Sequence, residues 1–158
     1  INLDMVASPN FSRFIYDSEN IPEGSQKIRD TLSSWFDRQN LPWRLVPGDG
    51  GRSDHYGFAA SGIPVSGLFT GAEGIKTEEE QTLFGGTAGE AYDRCYHQSC
   101  DDIDNIDQIA LGMMARSAAH ALITFGRSSV LETRQTPANK VARSTWPEPE
   151  RMGPHFLR

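Results

Sequence analysis

The stretch from Pro22 to Val46 constrains the fold most. Ile28, Leu32, Trp35 and Phe36 fall at i, i+4, i+7 and i+8, the stripe of a helix with one buried face. Pro22 and Glu23 suit the first turn of that helix, and Asn40-Leu41-Pro42 ends it. Trp43 to Val46 then reads as a strand. A one-sided helix followed at once by a strand has to bury both against a shared layer, which points to an α/β architecture.

The rest of the chain fits the same plan. Leu3 and Met5 alternate with Asn2 and Asp4 until Ser8-Pro9-Asn10, so residues 1–7 read as a strand ending in a turn. Its apolar character predicts a buried strand with neighbours on both sides. Phe14-Ile15-Tyr16 reads as a second, short strand. Ser53 is placed to cap a short helix through Ala60, and Ile63 to Phe69 reads as a buried strand with Pro64 near its start. Residues 70–105 show little periodicity, and an excursion of that length inside a domain usually carries function. Asn105 and Gln108 resemble a capping box. The helix after them places Met114, Ala118, Leu122 and Phe125 on one face, and Gly126 stops it. Residues 127–158 hold four prolines and five arginines without pattern and read as an extended tail after a unit spanning 1–126. Strands alternating with helices predict a three-layer α/β domain, in which sites form at the carboxyl ends of strands. Asp4, Arg52, the segment after Phe69 and His97 all occupy such places.

Composition narrows the function. A hydrophobic content of 37% with 15 glycines and 9 prolines suits a loop-rich domain better than a helical bundle. The net charge is −6 with no basic cluster, so nucleic acid is not an expected partner. No apolar run approaches the ~20 residues of a membrane span, so no membrane partner is expected. The opening Ile1-Asn-Leu-Asp-Met-Val-Ala reads as the middle of a strand, so a preceding segment is expected to have been removed, nicked or left out. Two cysteines close together in an acidic, Gly-rich chain favour an oxidising, extracellular setting.

Chemistry concentrates in Cys95-Tyr96-His97-Gln98-Ser99-Cys100. A link between the cysteines would hold Tyr96 and His97 in a rigid loop. Closing so short a loop is worth only about 2 kcal/mol of chain entropy, so local rigidity explains it better than global stability. A zinc site made by the Cys-His-Cys cluster is the rival reading, but its spacing fits no common structural zinc pattern. Asp4 lies in an apolar run, where a carboxylate has to be paired, protonated or metal-bound. His55 lacks a neighbouring partner in sequence and reads as a supporting residue. No Gly-x-Ser-x-Gly elbow and no phosphate-binding loop are present.

Four segments, in order, carry a resemblance: Leu3-Asp4-Met5-Val-Ala-Ser-Pro-Asn10, Gly48-Asp-Gly-Gly-Arg-Ser-Asp-His55, Gly67-Leu-Phe-Thr-Gly-Ala72, and Gly85 to Asp101. Together they resemble the secreted bacterial di-zinc aminopeptidases that favour leucine and other large apolar amino-terminal residues. The resemblance covers residues 1 to about 125, the carboxy-terminal half of that family's catalytic domain. It implies a three-layer α/β/α zinc-exopeptidase fold with a mixed central sheet, of which this chain supplies one half. It also implies a peptide substrate, two zinc ions and secretion.

By position, the resemblance implies that Asp4 ligates one zinc and His97 the other. Tyr96 would hydrogen-bond the tetrahedral intermediate. Arg52 lies in the loop whose backbone carbonyl receives the substrate ammonium. Met5, Phe69 and a Cys95–Cys100 bridge would wall the apolar pocket. The family also needs a histidine, a bridging aspartate and a Glu-Glu pair upstream, the first Glu being the general base. Nothing here replaces them, since Glu78-Glu79-Glu80 reads as a loop downstream. One ligand per zinc cannot hold the pair, so an upstream chain or fragment of the same enzyme is the expected partner. A nicked enzyme whose pieces stay associated is the favoured picture. The alternatives are a binding module or inactive half on the same fold, or a glutaminyl cyclase-like enzyme with one zinc. Retention of Asp4, Tyr96 and His97 together argues against the first, and the Gly-Gly-Thr-Ala-Gly and Cys-Tyr-His-x-x-Cys stretches against the second.

Overall fold

In a computed structural model, residues 1–17, 22–48 and 52–127 are described. Their elements are β1 (Asn2–Leu3), β2 (Phe14–Asp17), α1 (Ser25–Arg38), β3 (Arg44–Pro47), α2 (His55–Ala60), β4 (Gly67–Phe69), α3 (Glu78–Phe84), a 3-10 turn (Ile103–Asn105) and α4 (Gln108–Arg127). The four strands form one mixed sheet in the order β1-β4-β2-β3. β1 runs parallel to β4 and β2 parallel to β3, while β2 and β4 are antiparallel, with Phe14 opposite Phe69. An α/β fold with a mixed sheet is therefore what the chain adopts.

The helical stripe behaves as its spacing predicts. Ile28, Leu32 and Phe36 are buried against Ile15 and Leu68 of the sheet, with Trp35 packed at the margin. Phe36, Leu32, Ile15 and Leu68 are 0% exposed, and each contributes ~1.5–3 kcal/mol by leaving water. α4 packs beside α1, and the buried Ser117 hydroxyl donates to Leu32 O at 3.0 Å. α1 begins three residues later than Pro22 suggests. Gly24 takes φ +95 there, and the Ser25 hydroxyl accepts from Val65 N–H at 3.0 Å, tying the helix start to the segment that enters β4.

Several expectations need correction. Residues 1–7 are not one strand: β1 stops at Leu3, and Met5 turns the chain with φ +50. Among the described residues β1 has one neighbour, β4, so it forms an edge of the sheet and Leu3 is 52% exposed. The Ile63–Phe69 strand is only Gly67–Phe69. Residues 78–84 are helix, not loop. Thr77 and Glu80 form a reciprocal capping box, a Thr-x-x-Glu signature that was present in the sequence.

The cap of α4 is Asp107, whose Oδ1 accepts from Ala110 N–H at 2.8 Å; the Asn105 amide donates instead to Asp93. The buried face of α4 is Ala110, Met113, Met114, Ser117 and Ala121, so Leu122 points outward. The helix continues through Gly126 to Arg127, and residues 128–158, which hold nearly all of the expected tail, lie outside the described residues. α4 is also long and apolar enough to cross a membrane, with 20 residues and mean hydropathy 1.2, contrary to the reading that no run approaches that length. Its buried face nonetheless belongs to the core beside α1.

Candidate functional site

Five chain segments meet in one cleft, one of them β2 through Tyr16. β1 and the turn that follows it deliver Leu3, Asp4 and Met5. The loop between β3 and α2 delivers Gly48 and Arg52 to His55; the end of β4 delivers Phe69, Ala72 and Glu73; the loop closed by the disulfide delivers Tyr96, His97 and Asp101. The cleft is open and has a volume of about 760 Å³. Asp4, Met5, Arg52, Phe69, Tyr96 and His97 thus converge, although up to 93 positions separate them. Cys95 and Cys100 are bonded to each other but do not line the cleft.

Each segment is held by local chemistry. The turn at Met5 is fixed by Thr70, whose N–H donates to Met5 O at 2.8 Å and whose hydroxyl donates to the same carbonyl. Thr70 also accepts from Ser8 N–H at 3.1 Å, so the loop after Asp4 cannot move independently of β4. Asp93, buried, accepts from Cys95 N–H at 2.8 Å and from the Asn105 amide at 2.9 Å. An aspartate bonding the backbone two residues on is a recognised turn former, and Asp93-Arg-Cys95 carried that signal. Within the bridged loop His97 takes φ +56 and its ring stacks on Tyr96, with centroids 3.8 Å apart.

The cleft floor is aromatic. Tyr16 stacks on Phe69 at 5.8 Å and lies 4.8 Å from the His55 ring. Read from the sequence, Tyr16 is only a strand residue; its place under the cleft depends on the sheet order. Burial, joined by the negative charge of Asp4, pushes the Tyr16 phenol up to about 12, so it stays protonated at neutral pH. His55 is buried, with Nε2 2.6 Å from Gly48 O, consistent with a supporting residue. Ser53 does not cap α2 with its side chain; its hydroxyl donates to Asp4 Oδ2 at 2.6 Å.

At the mouth, Arg52 pairs with Glu73 at 2.5 Å, a residue sequence reasoning did not single out. The hydrogen bond to Glu73, followed by one toward the Tyr96 phenol, holds the Arg52 guanidinium above its ordinary range. Burial pushes the Glu73 carboxyl up, but the Arg52 hydrogen bond and charge outweigh it and hold Glu73 below the usual carboxylate range.

Asp4 and His97 supply one oxygen and one nitrogen donor, the mixed set that suits zinc. Among the described residues, no group of three His, Cys, Asp or Glu comes together as a metal site. The donors fit zinc in type but fall short of a complete shell.

Comparison with known proteins points to peptidases. The model of peptidase family M28 matches residues 1–122. Leupeptin-inactivating enzyme 1 of Streptomyces exfoliatus is 37% identical over 139 residues, covering 88% of this chain and 30% of that protein. Leucine aminopeptidase 2 of Trichophyton rubrum is 40% identical over 134 residues, 81% of this chain and 27% of its own length. An aminopeptidase of Pseudomonas aeruginosa is 45% identical over 130 residues, 78% of this chain and 24% of that protein. The chain thus spans 24% to 30% of the length of these curated relatives.

Proposed function

The chain belongs to peptidase family M28, and from that premise we propose that it is the carboxy-terminal half of the catalytic unit of a secreted zinc aminopeptidase acting on peptides with large apolar first residues. The observation that carries this reading is the convergence of Asp4, Met5, Arg52, Phe69, Tyr96 and His97 on one cleft. The relatives named as aminopeptidases support the reaction class. The Cys95–Cys100 disulfide supports an oxidising compartment.

In this reading Asp4 and His97 each hold one of two zinc ions. Bound zinc supplies Lewis acidity and a nucleophile at neutral pH. The chain's own residues do the rest. Met5, Phe69 and the Tyr16 ring form an apolar wall for the first side chain. The backbone carbonyl of Arg52 accepts the substrate ammonium, which restricts cleavage to the amino-terminal bond. Tyr96 donates a hydrogen bond to the oxygen that becomes negative as the carbonyl is attacked, a contribution worth ~3 kcal/mol in a preorganised site. The stacked His97 ring and the bridge around it keep the phenol in place. The remaining zinc ligands and the general base come from an upstream segment of the same enzyme, which pairs with the outer edge of β1 and completes a three-layer α/β/α arrangement.

The test is zinc content and turnover of a leucyl anilide by the complete enzyme carrying His97→Ala. Zinc content falls and hydrolysis collapses; unchanged turnover refutes the ligand assignment. The 158-residue chain by itself is inactive, and hydrolysis by it alone would overturn the need for a second segment.

A further inference from the structure

The cleft has two zones of different chemistry. Met5, Tyr16 and Phe69 make one side apolar, while the exposed Arg52, Asp54, Glu73 and Asp101 bring charge to the mouth. Of the described lining residues, Arg52 is the one arginine or lysine. Its Nη2 donates to Glu73 Oε1 at 2.5 Å, a contact between the loop before α2 and the segment after β4. The two side chains are 64% and 54% exposed, so water competes with the contact and it opens at small cost. A guanidinium carries five N–H donors in a planar fork, and the contact with Glu73 engages one nitrogen of it. The fork can therefore take a carboxylate on two parallel N–H groups, which a lysine cannot offer.

Position decides which carboxylate the fork meets. With the substrate placed as above, the ammonium sits on the Arg52 carbonyl and the scissile carbonyl oxygen faces Tyr96. The Arg52 side chain also reaches toward the Tyr96 phenol, so its guanidinium stands beside the scissile bond. The second residue follows that bond, with its Cα about 3.8 Å from the first. A carboxylate on the second residue lies a few bonds farther on, within the span of an arginine side chain. The first side chain fills the apolar zone, so the second is left to the charged one. Asp54 and Asp101 repel a further negative charge, but both are exposed and their effect is screened by water and salt. The fork acts by direct contact, and Glu73 already makes such a contact in the empty cleft mouth.

We propose that the Arg52 side chain is a specificity determinant for the second residue of the substrate, favouring peptides that carry a carboxylate there. Glu73 occupies the same fork until such a peptide displaces it. The carboxylate has two sources, an acidic side chain at the second position or the free carboxyl end of a dipeptide. The inference rests on the aminopeptidase reading of the cleft. Because the contact is open to solvent, the preference is modest, about 2–5-fold in kcat/KM.

The experiment follows release of free leucine by the complete enzyme and compares kcat/KM within matched pairs of probes. Leu-Asp-amide against Leu-Asn-amide tests the side-chain source, and Leu-Ala against Leu-Ala-amide tests the free carboxyl end. The proteins are the wild type, Arg52→Met and Glu73→Gln. A ratio taken within one protein cancels any general loss of turnover from the change at Arg52. The wild type is expected to favour the carboxylate-bearing probe by about 2–5-fold in at least one pair, and the pair that responds identifies the source. Arg52→Met is expected to bring that ratio to one or below, and Glu73→Gln, whose neutral amide competes less for the fork, to raise it. Ratios of one in both wild-type pairs overturn the inference, as does a preference that survives Arg52→Met. A wild type that cleaves Leu-Lys-amide better than Leu-Asp-amide overturns it too and hands the mouth to its carboxylates. If Arg52→Met is inactive, an unchanged ratio in Glu73→Gln overturns it. An enzyme that releases no leucine from any probe removes the aminopeptidase reading together with this inference. One that releases leucine from every probe at equal kcat/KM removes only the inference.

Discussion

Replacing Tyr92 by Phe removes its buried hydrogen bond to Glu80 and leaves the packing around it intact. The Tyr92 ring is buried edge-on to Phe14, with centroids 5.5 Å apart, and Phe preserves that contact. The lost hydroxyl donates to Glu80 Oε2 at 2.6 Å, an oxygen that also accepts from Thr77 N–H at 2.8 Å and the Thr77 hydroxyl at 3.0 Å. Burial opposes ionisation of Glu80, but these hydrogen bonds and the charge of Arg44 prevail and hold its carboxyl below the ordinary range. At pH 7 the lost bond is one to a charged group, worth about 1.5–3 kcal/mol. For a protein of this size each kcal/mol moves Tm by roughly 2–4 °C, so the loss is about 3–12 °C.

The sign of the pH dependence follows from the depressed pKa. Glu80 contributes stability that is fully present above its unfolded value, about 4.3, and is lost as pH falls through the lower folded value. With Glu80 protonated, the Tyr92 bond becomes a neutral one, worth about 0.5–1.5 kcal/mol. The gap between wild type and Tyr92→Phe therefore narrows as pH falls from the unfolded value through the lower folded one. Thermal unfolding followed by circular dichroism between pH 3.5 and 7 measures both. A shift below about 1 °C at pH 7, or one that does not change with pH, refutes the assignment of Tyr92 to an ionised Glu80.

Other outcomes follow from the same contacts. Gly71 has φ +102, and a Cβ there would overlap the Tyr92 ring, so Gly71→Ala should cost about 2–5 kcal/mol in urea unfolding from backbone strain and overpacking together. The double change Cys95→Ser with Cys100→Ser opens a loop of sequence separation 5 and should cost only about 2 kcal/mol of global stability. Its larger effect should fall on zinc affinity and turnover, because Tyr96 and His97 lose their frame.

Legibility in the sequence followed the range of the interaction. The α1 stripe was readable because Ile28, Leu32 and Phe36 lie within three turns of one another. The cysteine loop was readable because its span is short. α3 carries a local signal in the Thr77 to Glu80 cap, but its seven residues are too few to show a helical period. Ser53, Glu73 and Tyr16 were not readable as site residues. Their roles depend on the sheet order, which brings β1 beside β4 and places Arg52 opposite Glu73. The end of β1 at Leu3 was hidden for the same reason: Met5 adopts its turn because Thr70, a distant residue, bonds its carbonyl.

The pairing of Asn2 with Gly67 has a consequence for the order in which the protein matures. During synthesis Asp4 leaves the ribosome well ahead of Ser53, β4 and His97. At translation speeds of about 5–20 residues per second, it waits roughly 5–20 s for the histidine that would stand across the cleft. Until β4 is made, β1 has no described strand to pair with, and Asn2 and Ser53 have nothing to hold them together. Any metal held by Asp4 and His97 together would therefore be acquired only after the polypeptide has been made past His97, well after Asp4 itself.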